Sequence, residues 1–129
     1  MKKLSKVLLV GAVSVMLFGT SAFAGIDFER YNLVVGRFNG IIDTDYQIKN
    51  TTGTDGYIIS EFVGGDYVVD ARMNSPRGSG YWTRNVTDNE TRKLDATSAH
   101  TKGIKIRAQF SNDWNTPVVV QVRGQFMSN

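Results

Sequence analysis

The sequence predicts an all-β protein: a two-sheet antiparallel β-sandwich of about seven or eight short strands behind a cleavable N-terminal signal helix. Three observations carry this. Two consecutive C-terminal runs, Gly103–Phe110 and Pro117–Phe126, alternate apolar and polar residues with period two, as strands do when one face meets a core. After residue 24 no stretch carries the 3.6-residue apolar spacing of a long amphipathic helix. Short β-rich runs are instead divided by clusters of Gly, Asn, Asp and Ser, the punctuation of a sandwich or barrel.

The leader comes first. Met1-Lys2-Lys3-Leu4-Ser5-Lys6 is a cationic start, Val7–Phe18 is apolar, and Ala22-Phe23-Ala24 is a small-x-small cleavage signature. Residues 1–24 therefore read as a signal peptide, with 25–129 as a single exported domain. The apolar run is shorter than the roughly 20 residues a membrane span needs. Cysteine is absent, so there is neither a lipid-attachment box nor a disulfide, and the expected mature protein is secreted, soluble and without a stable membrane anchor. Burial alone must hold it together.

Removing the leader also changes the charge argument. The whole chain has fifteen basic and twelve acidic residues, but Lys2, Lys3 and Lys6 belong to the leader. Twelve of each sign remain. Such a balance offers no general attraction to polyanions, so nucleic acid is not an expected partner.

The elements follow in order. Tyr31–Phe38 is rich in β-formers, and Asn39-Gly40 marks a tight turn before Ile41-Ile42. Tyr46-Gln47-Ile48 reads as a brief edge strand, and Lys49–Gly56 as a loop of turn residues. Tyr57–Phe62 and Asp66–Met73 flank Gly64-Gly65 and read as paired strands, with Tyr67, Val69, Ala71 and Met73 on one side and Val68, Asp70 and Arg72 on the other. Asn74–Gly80 reads as a flexible loop. Tyr81–Val86 and Glu90–Asp95 are strands about the turn Thr87-Asp88-Asn89, with Trp82 assigned to the core. Ala96–Lys102 then leads to the last two runs, which read as an antiparallel hairpin across Ser111–Thr116.

That hairpin would place Lys105, Arg107, Gln109, Gln121, Arg123 and Gln125 on one wet face, where Arg and Gln rows suit a glycan or an anionic wall polymer. The same rows also serve merely to keep a sheet face hydrated. Trp114 lies among short polar residues in the link. It either displays its ring for stacking or folds over an open end of the core. The candidate ligand-binding residues are thus Trp114, Arg107, Arg123, Lys105 and Gln121.

Motifs for chemistry are lacking. His100 is the single histidine and reads as a solvated loop residue; one histidine without cysteine does not make a tight transition-metal site. Asp43-Thr44-Asp45 lacks the further acids of a calcium loop and reads as turn carboxylates. No nucleophile elbow, zinc-protease helix or phosphate-cradling loop is present. The expectation is a protein that is not an enzyme and needs neither metal nor cofactor.

With its short leader, cysteine-free β-rich body, Arg77-Gly78-Ser79-Gly80-Tyr81-Trp82-Thr83 and closing Val-rich strand, the chain resembles small secreted proteins of unknown function from Gram-positive bacteria. The resemblance implies secretion and brings no catalytic residues. The functional expectation is a secreted bacterial binding protein, acting at the cell envelope or in the medium on a glycan, a cell-wall polymer or a protein. The alternatives are a bacteriocin-like or pore-forming toxin, with Tyr57–Phe62 or Val118–Val122 as lipid-facing strands, and a small secreted hydrolase.

Overall fold

The computed structural model describes residues 23–129. Two antiparallel sheets face each other across one apolar core, so the chain is an all-β sandwich. The expected signal helix lies outside the described residues, apart from its last two positions. Those two form β1 (Phe23–Ala24), followed by β2 (Glu29–Val35), β3 (Ile41–Asp43) and β4 (Gln47–Ile48). Next come β5 (Gly56–Val63), β6 (Val69–Ser75), β7 (Gly78–Ser79) and β8 (Thr83–Val86), then β9 (Glu90–Leu94), β10 (Lys105–Asn112) and β11 (Val120–Met127). Seven of these have four residues or more. The other four are two- or three-residue pairings too short to leave a periodic signal.

The first sheet has the order β1-β4-β10-β6-β7, with β3 also on β10 and β8 also on β6. The second has the order β2-β11-β5-β9. Every pairing is antiparallel except β1 with β4. Each strand of the second sheet is thus separated along the chain from the next by strands of the first.

This overturns two expected pairings. The strand β10 pairs with β3, β4 and β6, whereas β11 pairs with β2 and β5, so the last two strands lie in opposite sheets. The same is true of β5 with β6, and β8 and β9 also lie in opposite sheets. Their links are arches over the sandwich ends. Period two says which side of a strand is buried but not which strand lies beside it, so hairpin and arch leave the same trace. At the last link, Asp113–Val119 is long enough to cross the roughly 10 Å between packed sheets. Asn112 anchors its start: the buried Nδ2 donates to the main-chain oxygens of Val35, Gly36 and Val118 at 3.3, 2.8 and 3.4 Å.

The predicted inward residues hold where the strands are long. Ile106, Ala108, Phe110, Val120, Val122 and Phe126 are all buried. So are Val69, Ala71 and Met73, whereas Tyr67 is exposed just before β6. Each large apolar side chain buried this way contributes about 1.5–3 kcal/mol. Asn74–Gly80 is not a loose loop: β6 and β7 form a true hairpin there, and the Gly80 amide donates to Met73 O at 2.7 Å.

Candidate functional site

The outward face of the first sheet is built by parity. When Ala71 and Met73 point into the core, Asp70, Arg72 and Asn74 must point out. When Ile106, Ala108 and Phe110 point in, Lys105, Arg107, Gln109 and Ser111 point out beside them. Register then sets neighbours: Gln109 lies opposite Arg72 on one side and Asp43 on the other, and Ser111 opposite Asp70 and Ile41.

These neighbours form a connected row. Arg72 Nε donates to Gln109 Oε1 at 2.8 Å, and Gln109 Nε2 donates to Asp43 Oδ1 at 3.0 Å. Asp43 also pairs with Arg107 at 3.3 Å, and Arg107 Nε donates to Asn74 Oδ1 at 3.2 Å. Aromatic rings hold the cations at both sides: the Arg72 guanidinium lies 4.2 Å from the centroid of Trp82, and Arg107 lies 4.7 Å from that of Tyr46. Asp43 is therefore a strand residue committed to Arg107 and Gln109, not a turn carboxylate.

At the Ser111 end the face drops into a groove of about 350 Å³. Ser111, Asn112 and Asp70 form its buried floor, and Trp82, Trp114, Arg84 and Ile41 stand around it. Asp70 is 4% exposed, and its carboxylate accepts from Arg84 Nη1 at 2.6 Å and from the Asn85 amide at 3.1 Å. Trp114 is 74% exposed, so it does not cap the core. Its loop is nonetheless fixed, because the amides of Phe38 and Asn39 donate to the main-chain oxygens of Thr116 and Asp113 at 2.9 and 3.2 Å. Phe38, Ile41, Val118 and Val119 are exposed on the same end of the sandwich.

The five residues chosen from sequence do not come together. Lys105 and Arg107 lie on the outer face of the first sheet, while Gln121 and Arg123 lie on the outer face of the second. There Gln121 Nε2 donates to Asn32 Oδ1 at 2.8 Å, and Arg123 lies over Phe62 at 5.0 Å. The single wet face was a consequence of the assumed hairpin and disappears with it. Trp114 keeps a place in the groove. Its companions there, Asp70, Trp82 and Arg84, are not among the sequence-predicted site residues, and neither is Arg72, which lies beside the groove on Trp82. The parity of β6 already turned Asp70 and Arg72 outward, which was the available signal. Trp82 is a correction as well: it is half-buried on the outer surface under Arg72, just before β8 begins, rather than in the core.

The two buried bases serve the fold. His100 is fully buried, not solvated: Nδ1 accepts from the Thr97 amide at 3.2 Å, and Nε2 faces Gly78 O at 3.2 Å. The ring is thus held as the neutral Nε2–H form, and burial lowers its pKa below the ordinary histidine value. Lys49, 1% exposed, donates to the main-chain oxygens of Thr54, Ser128 and Asn129 at 2.5, 2.6 and 2.7 Å. Burial pushes its amine down to about 8. It ties the 49–55 loop to the end of β11.

No protein-family model matches this chain, and a search of curated proteins finds no match either.

Proposed function

We propose that this protein is a non-catalytic glycan-binding module, exported and acting at the cell envelope or in the medium. The observation that supports the reading best is the groove in which Trp82 and Trp114 stand over a floor of Ser111, Asn112 and Asp70. A sugar ring has an apolar C–H face and a rim of hydroxyls. Aromatic walls suit the first, and fixed polar groups suit the second. The floor is preformed by strand register and the Trp114 loop is held by main-chain hydrogen bonds, so little ordering is needed on binding. Binding is favoured over hydrolysis because, of the two acids that line the groove, the buried Asp70 is already taken up by Arg84 and the Asn85 amide, which leaves Asp113 without a second free carboxylate to work with.

The chain has two tryptophans and both line this groove, so their fluorescence reports on it directly. Titration with a panel of neutral and acidic oligosaccharides should shift the emission with a saturable profile, and Trp114→Ala should weaken that binding. Unchanged emission across the panel would refute the proposal.

A further inference from the structure

We infer that the glycan is an acidic polymer, and that its charged groups are read at the opposite end of the same sheet face. This rests on the groove reading above and names the ligand class. The start of β10 borders a second open hollow of about 400 Å³, formed by the β6–β7 turn and the loop entering β10. Arg77, Lys102 and Lys105 line it together with Thr101, and no carboxylate does. All three cations are exposed, and none is in a salt bridge among the described residues. A chain with equal numbers of acids and bases beyond residue 24 has here put three bases together without an acid.

The two hollows belong to one surface. Both border β10, one at Ser111 and the other at Lys105, six residues and roughly 20 Å apart at the ~3.4 Å rise of an antiparallel strand. Between them the face presents Arg72 on Trp82 and Arg107 on Tyr46. Arg107 is neutralised by Asp43, whereas Arg72, held by the Gln109 amide and the Trp82 ring, has no carboxylate partner among the described residues. Moving away from the tryptophans along β10, aromatic recognition thus gives way to unbalanced positive charge. A linear polymer with sugar rings and repeated anionic groups matches both halves. A short neutral sugar would use only the first.

The test uses polygalacturonate and hyaluronate, each beside its carboxyl-methylated neutral form, followed by tryptophan emission and calorimetry. At least one acidic polymer should bind at least tenfold more tightly than its neutral form at low salt. That advantage should shrink as salt rises, because exposed charges are screened. The double variant Arg77→Gln/Lys102→Gln changes only exposed positions and should remove the advantage without changing the affinity of the neutral form. Equal affinity for acidic and neutral forms, with binding still lost in Trp114→Ala, would overturn the anionic inference and leave the groove reading standing. Absence of binding by all four polymers would overturn the inference and count against the groove as well.

Discussion

Phe110 of β10 meets Tyr31 of β2 across the interior, with ring centroids 4.8 Å apart and planes tilted by 42°. One ring comes from each sheet, so this contact is where the two layers lock. Tilted aromatic pairs contribute about 0.5–1.5 kcal/mol beyond the area they bury. Phe110→Ala should therefore cost roughly 3–5 kcal/mol in denaturant unfolding. Ile106→Asp, two positions earlier on the same inward row, should abolish folding, because an unpaired buried carboxylate consumes most of a total stability of about 5–15 kcal/mol. Lys105→Gln, turned to solvent, should stay within about 0.5 kcal/mol of the wild type. Similar losses for the last two would contradict the β10 parity.

The hydroxyl end of Tyr31 explains a glycine. A Cβ on Gly124 would overlap Ile59 O and lie 2.8 Å from Tyr31 Oη. The register between β11 and β5 also shifts at Arg123/Gly124. Gly124→Ala must push a main-chain oxygen of the neighbouring strand, so a loss of about 1–3 kcal/mol is expected. A melt unchanged from the wild type would mean that β11 and β5 are not packed this way.

His100 gives stability a pH dependence. The unfolded chain takes up a proton at this residue near pH 6.5, while the folded ring, buried and near the Lys49 charge, holds off protonation to lower pH. In that window the unfolded state binds more protons, so stability falls as pH drops below about 6.5. Paired denaturant curves at pH 7.5 and 5.5 should show a smaller difference for His100→Gln than for the wild type. An equal difference would place the ring's protonation outside the folding equilibrium.

Trp114 and Trp82 separate binding from folding. With 74% of Trp114 exposed, Trp114→Ala should leave stability within about 0.5 kcal/mol. If the groove binds a glycan, the same change should weaken binding by about 1–3 kcal/mol, as truncating an aromatic hot spot does. Trp82→Ala also removes the platform under Arg72, so it should cost stability as well as affinity. A melt of Trp114→Ala several degrees below the wild type would show that its ring supports the fold.

The sequence by itself determined the class of this protein and the inward side of its long strands. Ile106, Ala108 and Phe110 alternate with polar neighbours, and a period of two has one physical reading whatever lies beside the strand. Local chemistry also placed the 49–55 loop and the turn before β9. What only the tertiary structure decided was pairing. Val122 of β11 lies opposite Leu33 of β2, not opposite any residue of β10, because strand partners are chosen by packing between segments distant in the chain. That choice separated Lys105 and Arg107 from Gln121 and Arg123, and brought Trp82 and Trp114 to the rim of one groove. It also buried His100, whose polar loop neighbours gave no apolar pattern to announce it. Alternation belongs to each strand's own residues, whereas a site belongs to neighbours, and neighbours in a sandwich of arches are set by the fold.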